Sequence, residues 1–366
     1  MESLRRMSTE PRVKIKVVGV GGGGCNAVDR MVEGGLQGAE TIAMNTDVQT
    51  LEHSLASIKL PLGPSLTGGR GAGGDPTMGA KAATESMQSI KELLHGAEMV
   101  FITAGLGGGT GTGAGPVVAA AAMELGALTV AIVTTPFGFE GARKMTLARE
   151  GLQQLAQNSD THIVVPNQRL LEILPRGVSF KGAFLKADEV LHQGVDGVTR
   201  LVMGAGVINV DFNDVNAIMR GGGRALMAIG RASGETRAVD AAMATIENPL
   251  LESSIDGASR VLMHIKGGND MSLHEVTEAA HVIHDRMDGE ANVIWGAATQ
   301  EDMDDEMEMI LIATAFSASV GGLGREERAP GARPIPVAPP AGGARSGRST
   351  FGLALEDVPP GERKRR

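Results

Sequence analysis

The sequence predicts an α/β fold: a parallel sheet wrapped by helices, then one long central helix, a smaller α+β domain and a disordered tail. Three observations predict it. Short apolar runs alternate with helical stretches as far as Val165, the succession that a parallel sheet with crossover helices requires. From Phe180 onward, Phe180, Phe184, Ala187, Leu191, Val195, Val198 and Val202 recur at steps of three and four, as one face of a long helix demands. After Val320 the composition changes: residues 321–366 hold seven of the sixteen prolines and nine Lys or Arg against five Asp or Glu. That tail has too few apolar side chains to offset the entropy of ordering.

Taken in order, Val13 to Val20 is a strand, Gly21 to Gly24 a loop and Asn26 to Glu33 the start of a helix. Thr41 to Met44, Met99 to Ala104, Leu128 to Thr134 and His162 to Val165 read as buried strands, with helical stretches such as Met78 to Leu94 and Pro116 to Leu125 between them. A helix over Phe180 to Met203 is about 36 Å long at ~1.5 Å per residue, enough to span a domain. Gly194 and Gly197 weaken it without overturning it. Beyond it, the segments Asp214 to Ile229 and Arg237 to Ile246, a strand at Arg260 to Ile265, a helix at Leu273 to Met287, and strands at Asn292 to Trp295 and Met309 to Ala315 suggest the smaller domain. The expected divisions are an N-terminal extension (1–12), a nucleotide domain (13–179), the central helix (180–203), a loop and C-terminal domain (204–320), a disordered linker (321–350) and a tail peptide (351–366).

Bulk composition narrows the function. Of the chain's 366 residues 42% are hydrophobic but only 2% aromatic, so the core must be built from Val, Ile, Leu, Ala and Met. A formal charge of -9 argues against nucleic acid as a partner, because phosphate backbones are bound by basic surfaces. The tail is about +4, leaving the remainder about -13. Cys25 is the sole cysteine, which excludes an intrachain disulfide and a cysteine-rich metal site and fits a reducing compartment. Met1 to Arg12 carries no secretory signal, and Val117 to Val133 is interrupted by Glu124 and Gly126 rather than forming a membrane span. The expectation is a cytoplasmic protein with no integral membrane segment.

The glycines are the feature to explain. Fifty-two of them lack a Gly-X-Y period and concentrate in short runs. Gly19-Val20-Gly21-Gly22-Gly23-Gly24 matches GxGxxG between strand and helix, where a Rossmann-like unit holds an anion on backbone N–H groups. By itself this also fits a dinucleotide oxidoreductase with Asp47 near the ribose. A second loop follows Ala104: Gly105-Leu106-Gly107-Gly108-Gly109-Thr110-Gly111-Thr112-Gly113. Its N–H groups can form a nest around phosphate oxygens, and the Thr hydroxyls add donors or reach a metal. A third run, Gly68-Gly69-Arg70-Gly71-Ala72-Gly73-Gly74-Asp75-Pro76, supplies more. One such loop serves a pyrophosphate, whereas three imply a triphosphate held by backbone. No GxxxxGK[ST] and no GxSxG occurs, so neither a P-loop nor a nucleophile elbow is present.

Gly105 to Gly113 resembles the signature of the tubulin/FtsZ family of GTPases, and the chain from Val13 to about Ala318 resembles its bacterial cell-division branch segment by segment. Gly21 to Val28, Met44-Asn45-Thr46-Asp47, Pro136 to Gly141, Pro166-Asn167 and Asn209-Val210-Asp211-Phe212-Asn213-Asp214 carry the likeness. The resemblance implies a Rossmann-like GTPase domain with GTP and GDP as ligands and Mg²⁺ bridging phosphate oxygens. It implies nucleotide contacts from Gly21, Gly22, Gly23, Gly24, Cys25, Asn45, Asp47, Ala72, Gly73, Gly74, Gly107, Gly108, Gly109, Thr110, Gly111 and Thr112. Base contacts fall to Phe184, Asp188 and Asn26, and ribose or phosphate contacts to Glu140, the basic residue after it, and Asn167. The family has an arginine four residues after the glutamate, but here Arg143 stands at three and Lys144 at four, and Lys lacks the planar fork. Cys25 stands where a small residue such as glycine is common and reads as one.

The residues themselves support a guanine. Phe184 and Asp188 are four apart and share a helix face, and a carboxylate accepts guanine N1–H and the exocyclic amine together while adenine N1 repels it. The alternatives are Phe184 as ordinary core and Asp188 as a solvated helix residue. Asp211 and Asp214 fit a turn and a helix N-cap, whereas the resemblance makes Asn209, Asp211 and Asp214 the residues that position the attacking water. This loop follows the long helix and lies some ~30 Å from the base residues by helical rise, so it can serve only a neighbour's nucleotide. That requires a head-to-tail homopolymer, which does not close.

Two other patterns are discounted. His274, Glu278, His281 and His284 recur on a helix face without HExxH, and the six acids of Glu301 to Glu308 lack calcium-loop spacing, so no protein-held metal site is expected. In the tail, Leu353-Ala354-Leu355-Glu356-Asp357-Val358-Pro359 resembles the start of the family's docking peptide for membrane-anchor and division proteins, which implies a place at the division site. Pro360-Gly361-Glu362 stands where an apolar anchor belongs, and Arg363 to Arg366 could instead attract anionic lipid.

Overall fold

The computed structural model describes residues 13–316, apart from residues 176, 204–206, 209, 252, 253 and 288–290. The expected linker, tail peptide and N-terminal extension, together with Asn209, lie outside the described residues. Apolar runs buried on both faces become strands, and the glycine runs between them become entries to helices. In chain order these are β1 (Ile15–Val20), α1 (Gly21–Glu33), β2 (Ala39–Asn45), α2 (Val48–His53), β3 (Ile58–Pro61), α3 (Pro64–Thr67), α4 (Pro76–Glu85), α5 (Met87–Leu94), β4 (Met99–Gly105) and α6 (Thr110–Glu124). Next come β5 (Leu128–Thr135), α7 (Ala142–Gln157), β6 (Thr161–Pro166), α8 (Asn167–Ile173), α9 (Phe180–Met203), α10 (Phe212–Met219) and β7 (Gly223–Ser233). The last are α11 (Arg237–Ile246), β8 (Ala258–Gly267), α12 (Leu273–His284), β9 (Asn292–Thr299) and β10 (Glu306–Phe316).

The strands form one sheet in the order β3-β2-β1-β4-β5-β6-β7-β10-β8-β9. β1 to β6 are all parallel, and their order reverses between β1 and β4, the kind of switch point beyond which a crevice opens at the carboxyl ends of the strands. β7 joins β6 in parallel through only three residue pairs, Thr161 with Gly223, His162 with Arg224 and Ile163 with Ala225. It then pairs antiparallel with β10, which pairs antiparallel with β8. The α+β character of the C-terminal part follows from that change of direction.

Three apolar clusters hold these layers. On one face Val17, Phe101, Val130 and Ile132 pack under Val28 and Met31 of α1 and Leu191, Val195 and Val198 of α9. On the other, Val18, Ile42, Ile102 and Val133 pack under Ala82, Ile90, Val118 and Ala122. The C-terminal cluster uses Met263, Ile265, Met307, Met309 and Leu311 with Ala241 and Ala279. Methionine and alanine thus fill the space that aromatic rings would otherwise occupy.

α9 runs over the residues that periodicity predicts, and its glycines have a packing reason. A Cβ on Gly194 would lie 2.6 Å from Met227 Sδ, and one on Gly197 would lie 2.9 Å from Ile310 Cδ1. Small residues let the helix lie close to β7 and β10. A buried ionic seam adds to this contact: Asp196 accepts from Arg200 at 2.7 Å and faces Lys266 at 3.5 Å, and Lys266 also meets Glu308 at 3.3 Å.

Several local expectations are corrected. Gly21 to Gly24 is not a loop but the first turn of α1, entered through a left-handed Gly21 (φ 74°). The stretch Met78 to Leu94 breaks at Ser86 into α4 and α5, because Ser86 leaves helical geometry and its hydroxyl accepts from Gly63 N–H. α6 starts at Thr110, inside the second glycine run rather than after it. The segment 214–229 divides into the end of α10 and the start of β7, and β3 was not anticipated. No described helix is long and apolar enough to cross a membrane.

The approach of α4 to α6 depends on missing side chains. A Cβ on Gly113 would collide with the Pro76 carbonyl, and one on Gly79 with the Gly109 carbonyl. Backbone cannot give way as a flexible side chain can. Gly113→Ala is therefore expected to lower unfolding free energy by about 1–3 kcal/mol, measured by denaturant titration. An unchanged midpoint would mean that the two helices can slide apart freely.

Candidate functional site

Both α1 and α6 begin at the switch point, at the carboxyl ends of β1 and β4. Neither has a side-chain N-cap or an acidic residue in its first turn. Their first N–H groups are left for a ligand, and the helix dipoles favour an anion there. Gly22 and Gly23 are exposed, and Gly22 has open space where a side chain would be. Gly21 cannot carry one, since its Cβ would lie 2.7 Å from Gly111 N. The first and second glycine runs are thus in mutual contact.

In the second run Gly107 is left-handed (φ 102°), and a Cβ there would meet Pro136 Cγ at 2.7 Å and Lys144 O at 2.9 Å. Its N–H donates to Thr112 Oγ1 at 2.8 Å. Thr112 is buried, so its hydroxyl shapes the loop from below instead of reaching the crevice. Gly108 faces open space, and Gly109 and Gly111 press against Ala72 and Gly105 respectively. Thr110 Oγ1 lies 2.6 Å from Thr46 Oγ1, tying the second run to the end of β2.

The third run closes the arrangement. Gly68, Gly69, Gly71, Gly73 and Gly74 all have positive φ, and Gly73 and Gly74 are exposed with nothing near a built Cβ. Gly71 N–H donates to Thr46 O at 3.0 Å, and Asp47 bridges to Arg70. Ala72 is buried against Gly109. Two acidic residues here are committed to structure: Asp75 caps α4, accepting from Thr77 N–H at 2.8 Å, and Asp47 caps α2, accepting from Gln49 N–H at 3.0 Å and Thr50 at 3.1 Å. Asn45 is buried, and its Oδ1 accepts from Asp47 N–H.

Further along the crevice, Glu140 ends a short 3-10 turn (Gly138–Glu140) and accepts from Phe137 N–H at 3.0 Å. Lys144 donates to its other oxygen at 3.0 Å. Arg143 is exposed and, among the described residues, has no hydrogen-bond or ion-pair partner. Asn167, first residue of α8, is buried and its Oδ1 has no partner among the described residues. A buried amide with an open acceptor suits a ribose hydroxyl.

Phe184 sits in a chain of rings. Phe137 meets it edge-on at 5.1 Å, Phe180 tilts onto it at 5.0 Å, and Phe139 lies 5.8 Å from Phe180. Residues Phe137, Leu171, Leu174, Val178 and Phe180 line a cavity of about 210 Å³ beside Phe184. Sequence reasoning missed this cluster, whose members come from two separate segments. Asp188, one turn along α9, is half-buried, and burial pushes its carboxyl up to about 7, with Arg30 pulling down and Asp29 pushing up. Asn26 is exposed on α1.

Cys25 is packed as the small residue it reads as. It is fully buried, with Sγ toward the carbonyls of Gly19 and Met44, and burial pushes its thiol up to about 12. Only its backbone is available to a ligand. Asp211 and Asp214 are at the far end of α9, where both are exposed. Asp211 caps α10 through Asn213 N–H at 3.3 Å, so the N-cap reading holds for it, while Asp214 lies in the first turn with no partner among the described residues. The loop before them is fastened to β9 by Ile208 and Ala297. α10 leads into β7, whose first residue pairs with the first of β6, so these acids belong to the amino ends of the parallel strands. The glycine loops sit at the carboxyl ends. Among the described residues no group of three His, Cys, Asp or Glu could hold a metal ion, and the histidines of α12 form no such group.

Comparison with known proteins agrees with this geometry. Residues 14–175 match the model of the tubulin/FtsZ family GTPase domain, and residues 223–317 match that of the FtsZ family C-terminal domain. An FtsZ dimer structure from M. jannaschii is 45% identical, with 84% of this chain and 89% of that chain covered at a TM-score of 0.81. A point mutant of FtsZ from the same organism gives 45% identity, 83% and 91% coverage and a TM-score of 0.80. CetZ2 from Haloferax volcanii, at 23% identity, 84% and 94% coverage and a TM-score of 0.72, shares the fold. With uncapped helix N-termini at the switch point and two family models in sequence order, this chain is a GTPase that belongs to the tubulin/FtsZ family.

Proposed function

We propose that this chain binds GTP at the switch point and polymerises head to tail, each subunit hydrolysing the GTP of its neighbour with Asp211 and Asp214. One observation carries the reading: the glycine loops and the acidic loop lie at opposite ends of the parallel strands, separated by the 24 residues of α9. A helix of that length spans about 36 Å, so a carboxylate beyond it meets a γ-phosphate only across a subunit junction. Asn209 completes the loop in the resemblance. Self-association is in keeping with the FtsZ dimer known from M. jannaschii. The family likeness extends the proposal to the division ring and, for the tail, to membrane-anchor partners.

Chemistry at such a junction needs positioning more than bond-making groups. Backbone N–H groups of α1, α6 and the third glycine run hold the phosphates, and a carboxylate from the neighbour orients water in line. Asn167 and Glu140 take the ribose. Since Lys144 is engaged with Glu140, Arg143 is left to meet phosphate. Mg²⁺ fits as an ion brought by the triphosphate, because the described residues offer the half-buried Thr110 hydroxyl, backed by the buried Thr46, rather than a carboxylate cluster. When bound it neutralises phosphate charge. Light scattering with GTP, GDP and ATP in parallel tests the proposal: assembly with GTP alone is expected, and assembly independent of nucleotide would remove it.

The pH dependence of GTP affinity follows from Asp188. Burial pushes its carboxyl up to about 7, and guanine N1–H and N2–H bind only the ionised form. Lowering the pH through 7 protonates it, so affinity falls. Between pH 8 and pH 6 a loss of about tenfold is expected. Arg30 and Asp29 face it from α1, and His192 follows it on α9 with its own pKa lowered by burial. Asp188→Asn should flatten this part of the profile, and a variant profile parallel to the original would assign the effect elsewhere.

A further inference from the structure

α10 carries Asp211 at its N-cap and Asp214 in its first turn, and its other end is tied down at every carbonyl. The last helical N–H, that of Arg220, donates to Asn216 O at 2.8 Å. The carbonyls of Ala217, Ile218, Met219 and Arg220 are then left without a helical partner. Side chains from three strands meet all four. Arg260 of β8 donates from Nη1 to Ala217 O at 3.1 Å and to Arg220 O at 3.4 Å. Thr314 of β10 donates to Ile218 O at 3.1 Å, and Thr161 of β6 donates to Met219 O. Arg260 and Thr314 stand opposite each other in the ladder of β8 and β10, so both reach the same helix end.

The carboxyl end of a helix is its negative end, which suits a guanidinium both as donor and as charge. β6 lies in the segment matching the GTPase domain, whereas β8 and β10 lie in the segment matching the C-terminal domain. The clamp therefore draws on both, and it sits behind the acids. Among the described residues no side chain of another element bonds Asp211 or Asp214. Their places are set by the helix that carries them. Its eight residues span about 12 Å, so a tilt of about 5° at the clamped end moves the acids by about 1 Å. A displacement of that size can cost about 100-fold in rate.

We propose that Arg260 is a positioning residue for hydrolysis: by holding the last carbonyls of α10, it sets where the acidic loop meets the neighbour's γ-phosphate. This rests on the acids acting across a junction. Arg260 stands with α10 at the amino ends of the parallel strands, away from the glycine loops of its own subunit. The two threonines are fully buried, whereas Arg260 is half-buried and can be replaced without opening the core.

The test uses full-length variants in pairs. Asp214→Ala supplies GTP and a defective acidic loop, and a variant unable to bind nucleotide supplies an intact loop, so turnover in the mixture reports one kind of junction. Arg260→Met in the loop supplier should lower that turnover by about tenfold, short of the full loss because both threonines remain. The same substitution in the GTP supplier should leave it unchanged. A general weakening of the fold would act alike in both placements. In Arg260→Met alone, kcat should fall while the KM for GTP stays the same, and Arg260→Lys should recover most of the rate. Thr314→Val, which removes the donor to Ile218 O, should repeat the directional effect and carries the test if Arg260→Met does not fold. Equal turnover in the two placements overturns the proposal and leaves the cross-junction reading standing. A starting mixture that does not hydrolyse GTP would remove that reading, and this proposal with it.

Discussion

Asp214→Ala is expected to bind GTP with unchanged affinity while its hydrolysis falls by about 100-fold or more, an amount typical for loss of one group that stabilises or positions a transition state. The residue is exposed and accepts no hydrogen bond from the described residues of its own chain, so its removal disturbs nothing in the subunit. Asp211→Ala is a poorer test. Asp211 also caps α10, and losing that cap costs about 1 kcal/mol. Asp211→Asn keeps a capping oxygen and removes only the charge. The decisive measurement mixes Asp214→Ala with a second variant that cannot bind nucleotide. Junctions at which the first protein's GTP meets the second's intact acids should hydrolyse. If activity fails to return at any ratio, with co-assembly shown by sedimentation, the carboxylates do not act across a junction.

Gly107→Ala supplies the second large effect, since it should weaken GTP binding by about 30- to 1000-fold, or ~2–4 kcal/mol. Two penalties coincide at this position. The left-handed backbone disfavours any side chain, and the added methyl would meet Pro136 and the Lys144 carbonyl. Relief requires the loop to move, and with it the start of α6. Isothermal titration with GTP would show the loss. Gly108→Ala is the control, because a built Cβ there meets nothing and the loop can stay in place. Similar losses in both variants would mean that side chains in the crevice clash with the ligand directly, and that loop geometry is not the cause.

Much of the architecture was legible because its signals are local. Buried parallel strands such as Met99–Gly105 are apolar runs interrupted only by a buried Thr103, and the 3.6-residue period of α9 survives two glycines. β7 escaped because Gly-Arg-Ala-Leu-Met-Ala-Ile has the composition of a helix, and its strand state is imposed by β6 and β10 on either side. β3 is four residues long and half-exposed, too short for a period to show.

At the site, glycine spacing located the loops but could not separate ligand-facing residues from loop-shaping ones. Asp47 offers a carboxylate suited to a ribose hydroxyl and Thr112 a hydroxyl suited to phosphate, yet both side chains bond the chain itself. Burial decides that question, and burial is a property of the packed molecule. The ring chain from Phe137 to Phe184 needed tertiary knowledge, because its members stand in two segments far apart in the chain.

Cys25 also bears on how the protein can be studied. A thiol with a pKa near 12 is ionised in only about one molecule in 10,000 at pH 8, and it is sealed between the carbonyls of Gly19 and Met44. Alkylating reagents will therefore pass over it while the first glycine turn stays seated on β1. A cysteine placed at an exposed position such as Val207 can be labelled without first removing the native one. Slow modification of Cys25 itself then becomes a clock: its rate counts how often the phosphate-binding turn lifts away from the sheet, and a bound nucleotide should slow the count.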